Sequence, residues 1–126
     1  WAARRFGTPA AFFEGWFVLN YCPLVFLEAS GRNLTPDKLP AEPRRALIEA
    51  CDRHLAQALA ALGPEWAIGI GEFAERRLRA VLPGDSVSIA RIPHPSPASP
   101  AANRGWPDAV DQALAQLGVL PLPQSS

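Results

Sequence analysis

The chain has 126 residues, 48% of them hydrophobic, with twelve basic and twelve acidic side chains that cancel to a formal net charge of zero. That length suits one compact domain with a single core. Zero charge removes bulk electrostatics as a reason to expect nucleic acid, and no apolar run approaches the roughly 20 residues that span a bilayer.

The stretch from Phe12 to Leu27 is apolar but broken by Glu14, Gly15, Asn20 and Pro23, with no small-residue cleavage site after it, so it reads neither as a membrane span nor as a signal peptide. Within it, Trp16-Phe17-Val18-Leu19 predicts a buried strand whose C-terminal end carries Asn20. Tyr21-Cys22-Pro23-Leu24 leaves the ladder, because proline cannot donate to it. Ser30-Gly31-Arg32-Asn33-Leu34 is a polar turn, and Thr35-Pro36 is a helix-start signal, threonine as N-cap and proline at the first helical position. Leu47, Ile48, Cys51, Leu55, Ala58, Leu59 and Leu62 recur at helical spacing and make one apolar face, with Pro43 near the start and Gly63-Pro64 at the end. Trp66 to Ile70 predicts a second buried strand. Gly71 then turns into a helix over Glu72 to Leu82, closed by Pro83-Gly84. Val87 to Ile92 predicts a third strand, which delivers Pro93-His94. Pro107 and Asp108 open a last helix with Val110, Ala113, Leu114 and Leu117 inward and Gly118 as its stop. The tail from Pro121 is expected to be loose.

This alternation of strand and helix predicts an α/β fold, a mostly parallel sheet with helices on its faces. In such sheets ligands bind beyond the carboxyl ends of the strands. Asn20, Gly69-Ile70-Gly71 and His94 all fall at those ends, which points to one cleft. The glycines do not make a dinucleotide fingerprint, since Ala74 stands where the third glycine would be, and they suit a tight strand-to-helix turn. His94, between Pro93 and Pro95, either bonds a neighbouring backbone or serves a ligand. Asn20 reads by itself as a turn former or cap, although a fixed amide also offers one donor and one acceptor to a base edge. His54 reads as a solvent-side residue of its helix.

Cys22 and Cys51 cannot complete a structural zinc or iron–sulfur site, which takes about four ligands. Nothing suggests secretion, so two buried thiols without a disulfide are expected. No metal or cofactor is expected, although an upstream segment could supply further ligands. Of the basic residues, eleven are arginine and only Lys38 is lysine. Arginine is the better phosphate fork, but arginine with abundant alanine also marks a GC-rich genome. The chain begins at Trp1 and contains no methionine, so an N-terminal part is expected to precede it.

Three segments carry a family resemblance: His94-Pro95-Ser96-Pro97 with Asn103-Arg104-Gly105-Trp106 closing its loop, Phe17-Val18-Leu19-Asn20-Tyr21-Cys22-Pro23-Leu24, and Ser30-Gly31-Arg32-Asn33-Leu34-Thr35-Pro36. Together they resemble the uracil-DNA glycosylases of the single-strand-selective monofunctional (SMUG) type, over nearly the whole chain. The resemblance implies a three-layer α/β/α sandwich and one domain over 1–126, a partial glycosylase-like domain without its N-terminal strand. It implies hydrolysis of the N-glycosidic bond of uracil in DNA, with oxidised uracils as an open extension, by base flipping and without a metal or a covalent lysine intermediate. His94 would stabilise the leaving base and Asn20 would read it. Ser30, Gly31, Arg32, Asn33, Thr35 and Arg44 would face DNA, as would Pro95, Ser96, Pro97, Ala98, Ser99, Asn103, Arg104 and Gly105 of a wedge loop that helps to extrude the base.

The family places arginine and asparagine after the second proline, where this chain has Ala98 and Ser99, so a weaker grip on duplex DNA is expected. Arg104 replaces a lysine, and Trp106 is expected as a packing anchor. Arg76 and Arg77, within the related run Gly71 to Arg77, are expected on a solvated helix face. The family's earlier Gly-Met-Asn-Pro-Gly-Pro motif, whose asparagine positions the attacking water, has no counterpart, for no Asn-Pro pair exists in the chain. These 126 residues alone are therefore expected to have little or no activity. The expected setting is a monomer acting on uracil-containing DNA inside the cell, away from membranes (cytoplasm or nucleoid if bacterial, nucleus if eukaryotic). The competing reading is a catalytically silent nucleic-acid-binding module with the same fold.

Overall fold

A computed structural model describes residues 1–32, 38–82, 84, 86–96 and 105–123. Among the described residues the elements follow in the order α1 (Ala2–Phe6), α2 (Pro9–Phe13), α3 (Ala41–Leu62), β1 (Trp66–Ile70), α4 (Glu72–Val81), β2 (Ser88–Ile92) and α5 (Trp106–Gln116). The strands pair in parallel, Trp66 opposite Ser88 through Ile70 opposite Ile92. The connection between them is α4, the crossover that parallel pairing requires.

The period of two along each strand divides the core. Ala67 and Ile89 face one side, with Leu55 and Leu59 of α3 and Leu78 of α4. Ile68 and Ile92 face the other, with Val110 and Leu114 of α5. Helices thus cover both faces, the layering expected for the fold. Val110 and Leu114 are almost fully buried, and burial of such a side chain stabilises the fold by about 1.5–3 kcal/mol. Gly69 lets α4 lie close: a Cβ there would collide with the backbone of Glu75.

Helix ends follow local chemistry. Gly63 takes the left-handed conformation after α3 (φ 55°, ψ 49°) and its N–H donates to the Leu59 carbonyl. Past α5, the Val119 N–H returns to the Leu114 carbonyl at 2.9 Å around Gly118. In α4, Glu72 and Glu75 occupy the first turn and Arg79 the last, which suits the helix dipole.

Three expectations need correction. Residues 16–20 form no strand, and Phe17 and Val18 are 62% and 57% exposed. A strand exists only where a neighbour satisfies its N–H and C=O groups, and among the described residues no ladder reaches this run. Second, α1 and α2 form where no element was expected. Thr8-Pro9 carried the signal seen at Thr35-Pro36: Thr8 Oγ1 accepts from the Ala11 N–H at 3.2 Å, with proline in the first turn. These helices bring Trp1, Phe6, Phe12 and Trp16 into one aromatic cluster, Phe12 stacked on Trp16 at 5.8 Å. They are tied to α5 by a buried carboxylate, Asp111, which accepts from Trp1 Nε1 at 2.7 Å and from Arg4 at 3.0 Å. Third, the tail is held at its start, where the Arg5 guanidinium donates to the Pro121 carbonyl. Thr35-Pro36 and Pro83 lie outside the described residues. Both cysteines are free thiols, Cys51 buried and Cys22 half-buried.

Candidate active site

The carboxyl ends of β1 and β2 lie side by side, and the Gly71 N–H crosses between them to the Ile92 carbonyl at 2.9 Å. From Ile92 the chain passes through Pro93 to His94, which rests against Gly71. A Cβ at Gly71 would stand 3.3 Å from the His94 Cβ and 3.4 Å from Cδ2. His94 is exposed, and the Ser96 N–H donates to its Nδ1 at 3.1 Å. A ring nitrogen that accepts from an amide carries no proton, so the neutral imidazole holds its hydrogen on Nε2. The tautomer follows from that bond, and it presents Nε2–H as a donor.

Trp106 pins the base of the loop that follows. Its indole N–H donates to the Pro93 carbonyl at 2.6 Å, and it packs against the Ile92, Val110 and Leu114 cluster. It is an anchor, as expected. Gly105, with φ 91°, turns the chain into α5. Pro95 is exposed and Ser96 half-buried. Pro97, Ala98, Ser99, Asn103 and Arg104 lie outside the described residues, as do Asn33 and Thr35.

Asn20 is exposed, and its neighbour Tyr21 fixes where it sits. The Tyr21 ring meets Phe73 edge-on at 5.2 Å, and its hydroxyl donates to Asp52 Oδ1 at 2.7 Å, with the Ile48 carbonyl 3.3 Å away. Phe73 is two residues beyond Gly71. The first turn of α4 therefore receives the Asn20 segment through Tyr21 and Phe73, and His94 through Gly71. Burial and the Asp52 carboxylate push the Tyr21 phenol well above its ordinary range, so it stays a donor.

Sequence reasoning missed the polar anchor behind Tyr21. Asp52 of α3 pairs with Arg77 of α4 at 3.2 Å, both side chains about three-quarters buried. The expectation of a solvated Arg77 is corrected. Arg76 is solvated and pairs with Glu72 on its own helix, whereas Arg77 lies four residues after Phe73 and shares its face, towards α3. That spacing was the available signal. Arg77 Nε is buried without a hydrogen-bond partner among the described residues. His54 is exposed, as expected.

Residues 28–32 form a compact turn. The Glu28 N–H donates to the Arg32 carbonyl at 2.8 Å, Gly31 has φ 81°, and the Ser30 hydroxyl donates to the Glu28 carboxylate at 3.2 Å. Arg32 is exposed, but Glu28 beside Ser30 is a poor neighbour for a phosphate. Arg44 is half-buried and lines an apolar cavity of about 360 Å³ with Tyr21, Cys22, Ile48, Cys51 and Phe73; His94 is not part of its wall. Among the described residues no three His, Cys, Asp or Glu side chains gather to hold a metal, and no helix is long and apolar enough to cross a membrane.

The sequence profile of the Uracil DNA glycosylase superfamily matches residues 2–118. The chain belongs to that superfamily. It is similar to the single-strand selective monofunctional uracil-DNA glycosylase of Rattus norvegicus, 47% identical over 118 residues, and to proteins of the same description in Mus musculus, at 46%, and Bos taurus, at 43%. Each match takes in 92% of this chain but 42% of the rat and mouse proteins and 43% of the bovine one. This member of the superfamily thus spans under half the length of the curated relatives it matches. The paired edge of β1 and β2, with His94 beyond it, lies wholly within the matched region.

Proposed function

We propose that the chain forms the leaving-base half of a glycosylase that hydrolyses the N-glycosidic bond of uracil in DNA, acting as a monomer on DNA inside the cell. The observation that carries this reading is the Ser96 N–H to His94 Nδ1 bond, which commits the neutral ring to an Nε2–H donor at the carboxyl edge of the sheet. In the reaction, water adds its oxygen to C1′ while the C1′–N1 bond breaks. The bonding pair passes into the uracil ring and onto O2, and the water proton passes to solvent or to a base outside these residues. Nε2–H then meets growing negative charge, and a donor placed in advance is worth about 2.7–4 kcal/mol, or roughly 10²–10³ in rate. Asn20 reads the extruded base: its amide donor suits O4 and its acceptor suits N3–H, whereas cytosine reverses both, at about 1–3 kcal/mol for each group left unpaired. Pro95, Ser96 and Gly105, with Arg32 and Arg44, belong to the DNA-facing side. The names of the relatives, with their single-strand selectivity, support this assignment.

The chain contains no Asn-Pro motif to hold the attacking water, so the 126 residues alone release little or no uracil. Placing this chain in the rat relative, in exchange for the 118 residues it matches, supplies the remainder. The chimera releases uracil from a single-stranded oligonucleotide, and His94→Ala slows it by roughly 10²–10³. An unchanged rate in His94→Ala would remove the assigned role. A chimera that binds DNA but never releases uracil would favour the silent binding module.

A further inference from the structure

We propose that Gly71 is the positioning residue of His94: its bare Cα is the seat on which the imidazole rests, and no other amino acid at 71 leaves the ring where it is. The inference rests on the reading of His94 as the leaving-base donor and assigns what holds it. Gly71 has φ 90° and ψ 171°, a conformation open in practice to glycine alone. Its N–H is bonded to Ile92, two residues before His94, so its position relative to the histidine backbone is set by the sheet edge itself. Its missing side chain would lie 3.3, 3.4 and 3.7 Å from His94 Cβ, Cδ2 and Cγ. Contacts that short require one partner to yield by a few tenths of an ångström. Gly71 is tied into the ladder and His94 is exposed, so the ring is what moves. The Ser96 N–H holds the opposite, Nδ1 side of the ring. A shift off the seat therefore strains that bond and turns Nε2–H away from its target. Gly69, which admits α4 to β1, and Gly71, which admits His94, give the two glycines separate roles.

Gly84 supplies the control, because its φ of 91° matches that of Gly71 while a Cβ there meets nothing within 4 Å. NMR on the 126-residue chain, which requires no DNA, tests the seat. An NOE between Gly71 Hα and His94 Hδ2 is expected in the unmodified protein. Gly71→Ala should move the His94 Hδ2 and Nδ1 resonances, and Gly84→Ala should leave them in place. In the rat chimera, Gly71→Ala should lower kcat by roughly tenfold, as misplacement of an aligned group does, with KM within about threefold of the parent. In a His94→Ala background the same change should cost under about twofold. Unchanged His94 resonances in Gly71→Ala, or an equal loss of kcat with and without His94, would overturn the proposal. Should Gly71→Ala fail to fold, the NOE in the unmodified chain decides, and its absence overturns the seat. Failure of the functional reading is a different result, an unchanged rate in His94→Ala itself.

Discussion

Replacing Tyr21 with phenylalanine isolates one bond that steadies the Asn20 segment. The ring and its edge contact with Phe73 remain, and what goes is the hydroxyl that donates to Asp52 at 2.7 Å. One proton cannot serve two acceptors fully, so the shorter Asp52 contact takes most of it and the Ile48 carbonyl at 3.3 Å takes little. A hydrogen bond to a charged group contributes about 1.5–3 kcal/mol. Asp52 keeps Arg77 after the change and is 24% exposed, so water can reach the freed oxygen. The lower part of the range applies, about 1.5–2 kcal/mol, or roughly 5–10 °C in melting temperature for a chain of this size. Urea denaturation of the 126-residue chain at pH 7 measures it. A cycle with Asp52→Asn should give a coupling of about 1 kcal/mol. A loss below about 0.5 kcal/mol together with zero coupling would show that the hydroxyl holds nothing.

Leu114→Ala should cost about 3–5 kcal/mol in the same assay, because a side chain this buried leaves a cavity among Ile92, Val110 and the tryptophans. Leu117, expected inward from its spacing, is 37% exposed at the C-cap of α5, where the helix ends; Leu117→Ala should cost under about 1 kcal/mol, and equal losses would refute the assigned layering. Burial, and then the hydrogen bond with the Cys22 thiol, push the Cys51 thiol up to about 11 from 9.0. The folded state thus favours the protonated thiol, and this contribution is complete below pH 9 and lost as the pH rises towards 11. The loss reaches about 2–3 kcal/mol at 1.36 kcal/mol per pH unit. Tyr21 acts with the same sign at higher pH. Stability measured from pH 8 to 11 should fall more steeply in the parent chain than in Cys51→Ala, and identical slopes would refute the thiol's share.

Much of the fold was legible because its signals are local. The apolar face from Leu47 to Leu62, closed by Gly63, became α3, and the short apolar runs at 66–70 and 87–92 became the paired strands. Periodicity and glycine or proline punctuation depend on neighbours within a turn or two, so they can be read before anything is packed. Thr8-Pro9 carries the same kind of local signal, a threonine cap before a proline, and opens the short helix α2. For the candidate site, the order of elements was enough to bring Gly71 and His94 to one edge, because parallel strands joined by a crossover helix must end on the same side.

What waited for the tertiary structure is everything that needs a partner far along the chain. Trp16 to Leu19 has strand composition but no ladder among the described residues, and composition cannot supply one. Arg77 looks like any surface arginine until α3 presents Asp52, 25 residues away, and Tyr21 closes the network from 31 residues away. Asp111 looks solvent-facing until Trp1 and Arg4 reach it across more than 100 residues. Sequence by itself determined where α3, α4 and α5 run and stop and which strand ends meet, because those follow from backbone propensity and period. Packing alone decided which charge is buried and which nitrogen of His94 bears the proton, because a group's electrostatic partner is set by proximity in space.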